Sequence, residues 1–247
     1  PKRAAGPALR VYGFGSGRVE LGGEAIPPSS WGSVTARQLL FYMLVHGARS
    51  REQIVADLWP ELSAQKAKTS FHTTKFRLNR ALGRDVVDFD GHFYTLHPDL
   101  EAWFDVALFR ALLRTWRETQ DVDALERATE LYAGDFVTDC YSDWCELERE
   151  ALRVRCMEAL ETLAERLVSR RQYRRAIRAL RQALTLDPTR ETFHQQLMRA
   201  YALSGDRSSA LAQYERCAAE LREGLGAAPS QATVQLYERI LREVPLD

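Results

Sequence analysis

The stretch from Ser63 to Leu82 reads SAQKAKTSFHTTKFRLNRAL, and the chain on either side is understood through it. Read at the α-helical period, Ala67, Phe71, Leu78 and Leu82 fall on one narrow apolar stripe. Lys66, Thr69, Thr73, Arg77 and Arg80 fall on the opposite face. Between Ser63 and Arg84 there are six basic residues and no acidic one. Such a helix suits the major groove of DNA, because cations attract phosphates and short side chains let the backbone approach base edges. It equally suits a surface helix with a solvated basic face, and this stretch alone does not separate the two readings.

Working outward, Val86-Val87-Asp88-Phe89 and His92-Phe93-Tyr94-Thr95-Leu96 flank Asp90-Gly91, a strong hairpin signal. Upstream, Ser50-Arg51-Glu52-Gln53 reads as a capping box opening a helix with Ile54, Val55, Leu58 and Trp59 on its core side. Pro60 ends it. Thr35 to His46 forms a strongly apolar helix with Gly47 as its C-cap. Leu9 to Phe14 and Arg18 to Leu21 alternate as strands around a Gly/Ser turn, and Gly22-Gly23 begins another turn, predicting a small antiparallel sheet. Pro1 to Pro7 reads as a short, basic, disordered linker. Strands, three helices and a terminal hairpin make a winged helix.

Trp103-Phe104-Asp105-Val106 marks the crossing into an entirely helical second half. Apolar periodicity runs through 105–117, 121–133, 143–170, 173–185, 191–204, 207–223 and 229–243. Tyr173-Arg174-Arg175-Ala176-Ile177 and Arg207-Ser208-Ser209-Ala210-Leu211 open equivalent helices 34 residues apart, with Ala176 matching Ala210. That period, with a small residue at the tight helix contact, indicates tetratricopeptide (TPR)-like units. The fold class expected is mainly α: an N-terminal winged helix (α+β) over 8–98, followed by an all-α TPR-like helical repeat domain over 99–247.

A chain of 247 residues with 45% hydrophobic content suggests one large or two medium domains with adequate cores. It has no transmembrane-length apolar run and no signal-peptide pattern, which points to the cytoplasm and away from a membrane. Pro1 is not an initiator, so a processed chain or a piece of a longer one is expected. The formal net charge is zero, yet residues 1–98 carry 13 Lys+Arg against 8 Asp+Glu, a formal +5, and the remainder carries −5. A basic front and an acidic back suggest that only the front meets an anion. Cys140, Cys145, Cys156 and Cys217 show no CxxC or Cys/His ligand spacing, so buried reduced thiols are expected, with no metal. No phosphate-cradling glycine loop or nucleophile elbow is present, and His46, His72, His92, His97 and His194 are scattered. Neither an enzyme nor a cofactor is expected.

In this order the motifs resemble a known family. Residues 9–98 are similar to the winged helix of the OmpR/PhoB response-regulator type. Residues 103–244 are similar to the bacterial transcriptional activator domain of the antibiotic regulatory protein (SARP) family. Carrying the likeness are Trp31, Thr35-Ala36-Arg37-Gln38-Leu39-Leu40, Ser50-Arg51-Glu52-Gln53-Ile54, Leu58-Trp59-Pro60 and Arg77-Leu78-Asn79-Arg80-Ala81-Leu82-Gly83. Leu131-Tyr132-Ala133-Gly134-Asp135-Phe136, His194 to Tyr201 and Leu225-Gly226-Ala227-Ala228-Pro229-Ser230 complete it. The resemblance implies a transcriptional activator bound to double-stranded DNA, with the 64–82 helix in the major groove and the wing near the adjacent minor groove. It places His72, Thr73 and Arg77 where bases are read, Arg77 foremost because a guanidinium can bind guanine O6 and N7 together. Thr69, Ser70, Thr74 and Asn79 match phosphate-contact positions, and Lys66 and Arg80 join them. His92 stands at the wing tip, either near a phosphate or simply solvated. Pro60 and Glu61 lie in a loop like the one this family uses to touch RNA polymerase, or they are a linker. Lys75 departs from the family pattern, which has an apolar residue there, and Phe76 lies outward, able to meet a thymine methyl or to pack under the wing.

Arg166, Arg170, Arg171, Arg174, Arg175, Arg178 and Arg181 crowd one helix–helix turn of the acidic half. They suit DNA phosphates, a nucleotide-type effector or acidic helices of a partner, or else they are paired by Glu161 and Glu165. The second half would then receive a signal, promote a homodimer on repeated half-sites, or contact polymerase. Two alternatives stand beside the regulator: a helical-repeat adaptor whose front domain contacts protein, and the output module of a larger sensor.

Overall fold

A computed structural model describes residues 9–246, so the linker expected for Pro1 to Pro7 lies outside the described residues. The alternation in the first strands is realised as β1 (Leu9–Tyr12) antiparallel to β2 (Arg18–Leu21), with β3 (Glu24–Ala25) beside it. Leu9, Val11 and Val19 turn inward and are buried. A short 3-10 turn (Pro28–Trp31) leads into α1 (Val34–His46), which closes with the Gly47 amide on the Met43 carbonyl. Helix α2 (Arg51–Leu58) opens with the expected capping box, both reciprocal bonds between Ser50 and Gln53 being present. Helix α3 (Ala64–Ala81) follows, then the hairpin of β4 (Val87–Phe89) and β5 (Tyr94–Leu96).

One strand went unread in the sequence. Residues Ala102–Phe104 form β6, which pairs parallel to β1, so the sheet order is β3-β2-β1-β6 rather than a purely antiparallel set. At three residues β6 is too short to show a period.

The second half is helical: α4 (Asp105–Thr119), α5 (Val122–Leu131), α6 (Asp143–Ser169), α7 (Tyr173–Leu186), α8 (Glu191–Leu203), α9 (Arg207–Leu225) and α10 (Gln231–Leu241). The fold is therefore mainly α, a winged helix followed by a TPR-like helical repeat. The 34-residue period extends into the turns. Arg171 and Gln172 donate backbone N–H bonds to Val168 and Leu167, just as Gly205 and Asp206 donate to Ala202 and Tyr201. Arg171 (φ +58°) and Gly205 (φ +85°) hold the same left-handed position at which each helix stops. Ala176 and Ala210 are both fully buried, as tight helix contacts require.

Two compact units divide the chain: Pro1–Ala111 with Leu131–Leu152, and Leu112–Glu130 with Arg153–Asp247. The first takes in more than the stretch that reads as a winged helix. Its core sets Phe14 against Phe109 and Tyr132, at ring distances of 5.4 and 4.8 Å, and Phe41 against Phe104 and Phe136. Buried Asp105 accepts hydrogen bonds from the amides of Gly13 (2.7 Å), Phe14 (3.1 Å) and Val106 (2.8 Å), tying the start of α4 to the end of β1. Gly13 has no room for a side chain: an added Cβ would lie 2.8–2.9 Å from Val106, Phe104 and Phe136.

In the second unit, α7, α8, α9 and α10 pack in sequence around Phe193, Leu197, Met198 and Ala200. His194 is 2% exposed there, bonded to the Pro188 carbonyl (2.8 Å) and the Gln213 amide (2.6 Å), a core histidine. All four cysteines are buried and unpaired. No helix among the described residues is long and apolar enough to cross a membrane.

Candidate nucleic-acid interface

Helix α3 is held from behind. Ala67, Phe71 and Leu78 are fully buried, Phe71 edge-on to the ring of Tyr94 at 4.7 Å. Burying a Phe or Leu contributes about 2–3 kcal/mol, enough to fix which face looks out. Tyr94 exchanges backbone hydrogen bonds with Arg49 (2.8 and 3.1 Å), which ties the wing to the turn between α1 and α2. With that back fixed, His72, Thr73, Phe76, Arg77 and Arg80 are all exposed. Among the described residues none of Lys66, Lys68, Lys75, Arg77, Arg80 and Arg84 forms an ion pair. The face is cationic and unneutralised.

The exposed surface has two parts. Positions 69, 73, 76 and 80 lie two residues on from the buried 67, 71, 74 and 78, about 200° around the helix, and so point straight outward. Phe76, 66% exposed, stands in the middle of that outward row, so of its two expected roles packing under the wing is not the one adopted. Along one flank runs a groove of about 510 Å³, lined by Lys66, Ser70, Thr73 and Arg77 of α3 and by Ser33, Thr35, Trp59 and Leu62. Gly32, whose left-handed φ of +66° favours glycine, ends the 3-10 turn beside the Arg77 stem, where a Cβ would make ordinary contact at 3.6 Å. Ser33 also caps α1 through the Ala36 amide. Ser33 and Thr35 are not legible in the sequence as part of this face, because nothing local says that the 3-10 turn lies alongside α3. The cap signal at Ser33 was the available hint.

Two expected phosphate contacts do not fit this geometry. Thr74 is 4% exposed, because three residues on from Phe71 it joins the core stripe and forms only the groove's inner edge. Asn79 is committed internally: its amide donates to Asp85 (2.6 Å) and its carbonyl oxygen accepts from the Val86 amide (3.1 Å), holding the chain from α3 into β4. Lys75 is half-buried, its ammonium 5.8 Å from the Tyr94 ring centre, which explains a cation where the family pattern has an apolar side chain. At the wing tip His92 is exposed, but Asp90 beside it accepts the amides of Phe93 and His92, bonds that hold its carboxyl below the usual range. That carboxylate opposes a phosphate contact through His92. Phe89 and Phe93, 47% and 44% exposed, make the wing's outer surface aromatic instead.

The arginine cluster divides as well. Arg175 does not fit the expected free anion contact: it grips both Glu126 carboxylate oxygens, and also Asp123 (3.1 Å) and Gln172 (2.7 Å). Arg181 donates to the Tyr201 hydroxyl (2.6 Å), and Arg166 lies over the Trp116 ring. Glu161 pairs with Arg190, outside the cluster. Arg170, Arg171, Arg174 and Arg178 are exposed and form no ion pair among the described residues.

Residues 102–241 match the family described as bacterial transcriptional activator domain, more than half of the chain. The chain belongs to that family. Regulatory protein AfsR of Streptomyces coelicolor is 25% identical over 96% of this chain, which spans only 25% of the length of AfsR. Transcriptional regulatory protein MoaR1 of Mycobacterium tuberculosis is 25% identical, covering 97% of this chain and 81% of MoaR1. A solved structure of Mycobacterium tuberculosis EmbR, in complex with a low-affinity phosphopeptide, superposes with a TM-score of 0.70. It shares 26% identity and covers 98% of this chain and 67% of the EmbR chain. MoaR1 and EmbR are both named transcriptional regulatory proteins, and AfsR a regulatory protein.

Proposed function

We propose that the protein is a SARP-type, sequence-specific DNA-binding activator of transcription, with residues 8–98 as an OmpR/PhoB-type winged helix that reads the major groove through α3. The carrying observation is the face of α3, exposed, cationic and, among the described residues, free of ion pairs, on a helix whose back is fully buried. His72, Thr73 and Arg77 read bases, joined by Phe76, whose ring suits a thymine methyl. Lys66, Thr69, Ser70 and Arg80 meet phosphates, and the groove flanking α3 gives the sugar-phosphate strand a seat lined with hydroxyls and cations. Residues 99–247 act as the activator domain, and Pro60 and Glu61 contact RNA polymerase.

Selection of bound sequences from random duplex DNA, followed by titration of the winning site at several salt concentrations, tests this reading. Log affinity should fall linearly with log salt. Arg80→Ala should lower that slope by about one and weaken all sequences alike, whereas Arg77→Ala should cost about 1–3 kcal/mol and relax preference at one base pair. Unchanged affinity and preference in an Arg77→Ala/Arg80→Ala variant would remove α3 as the reading element.

A further inference from the structure

A second groove of the first unit, of about 540 Å³, shares no lining residue with the one beside α3, although both border the loop at 58–62. Its walls are the end of α2 with Pro60 and Glu61, and the segment Tyr141–Glu148 that begins α6. Its chemistry is opposite to that of α3. Asp57, Glu61 and Asp143 are exposed carboxylates without an ion pair among the described residues, and no Lys or Arg lines the groove. Glu148, the fourth carboxylate, neutralises Arg110. Asp57 accepts the Tyr42 hydroxyl (2.6 Å), which holds it toward the groove's inner end.

Apolar surface accompanies the charge. Leu147 is 74% exposed and Tyr141 80%, both on the α6 side. Beneath them Trp144 is 6% exposed, edge-on to the Tyr42 ring at 5.4 Å. The Trp144 Nε1–H and His46 Nε2, both belonging to lining residues, are buried without a hydrogen-bond partner among the described residues. An isolated chain bears a cost for such groups. Duplex DNA is a poor occupant, because three carboxylates would face its phosphates.

We infer that this groove docks a basic amphipathic helix of a partner protein, whose cations meet Asp57, Glu61 and Asp143 and whose apolar side chains cover Leu147 and Tyr141. The inference deepens the recruitment reading of Pro60 and Glu61, and rests on it only in taking the partner to be a protein. Charge complementarity selects the partner's sign, and the exposed Leu and Tyr supply the anchor that charge alone lacks.

Fluorescence anisotropy with the full chain and three labelled helix-length peptides tests it: an amphipathic Lys/Leu peptide, a Glu/Leu peptide and a Lys/Ser peptide. The Lys/Leu peptide should bind at least about tenfold tighter than either other peptide. Glu61→Gln/Asp143→Asn and, separately, Leu147→Ser should each weaken it about tenfold, with helicity and DNA affinity unchanged. Equal binding of the Glu/Leu peptide overturns the inference, and so does Lys/Leu binding that both variants leave intact. Concentration-dependent self-association that Leu147→Ser abolishes would assign the groove to a second copy and overturn it too. Peptide binding that holds while specific DNA binding fails would sink the DNA reading and leave this one standing.

Discussion

Asp105 joins β1 to the start of α4, and replacing it with Asn isolates what its charge does there. The carboxyl is 4% exposed and accepts three backbone N–H bonds. Two effects compete. Burial disfavours the charged form, while the amides of Gly13, Phe14 and Val106 favour it, and burial prevails, lifting the carboxyl to about 6 from an ordinary 3.8. Between those values the native protein keeps a proton that the unfolded chain has released. The native state binds more protons than the unfolded state throughout that window, so stability falls as pH rises through it. At 1.36 kcal/mol per pKa unit the loss amounts to about 3 kcal/mol. Asn does not titrate. The stability of the wild type relative to Asp105→Asn should therefore fall by about 3 kcal/mol on going from about pH 3, below the unfolded value, to about pH 7, above the folded one. Urea unfolding followed by tryptophan fluorescence reads this well, because Trp31, Trp59, Trp103 and Trp144 all belong to the first unit and only Trp116 to the second. A difference that stays flat, or that grows in favour of the wild type as pH rises, would mean that the three amides outweigh burial and the reasoning is wrong.

Arg171→Gly should stabilise the protein by about 1 kcal/mol, since φ +58° strains any residue with a Cβ and Gly205 already fills the equivalent turn; thermal unfolding of the two proteins side by side checks it. Glu126→Ala should destabilise by about 1 kcal/mol, because it frees the half-buried Arg175 from its two-oxygen grip, and the loss should shrink in high salt when read by urea midpoints. Phe76→Ala, at a position 66% exposed, should alter stability by less than about 0.5 kcal/mol while relaxing preference for thymine at one position of the selected site; unchanged preference would remove Phe76 from the reading face.

Much of this protein is written locally. The capping box at Ser50 and Gln53, the Asp-Gly hairpin, the stripe of Ala67, Phe71 and Leu78, and the 34-residue spacing of Ala176 and Ala210 are short-range signals, and each appears in the structure where its residues stand. They specify helices, turns and which face of α3 looks inward, because periodicity and capping depend on neighbours a few residues away. What only the tertiary structure decides are the long-range pairings. The parallel seat of β6 beside β1, the wrapping of Asp105 around the Gly13 and Phe14 amides, and the capture of Arg175 by Glu126 join residues from about 50 to over 90 positions apart. The placing of Ser33 and Thr35 beside Arg77 is likewise a long-range matter, and it turns one basic helix into the wall of a groove. Hydrogen-bond and charge partners are chosen by proximity in space, and a run of Arg residues reads the same whether its carboxylates are near or absent. That is why the cationic helix was legible from residues alone, while the division of the arginine cluster and the internal roles of Thr74 and Asn79 were not.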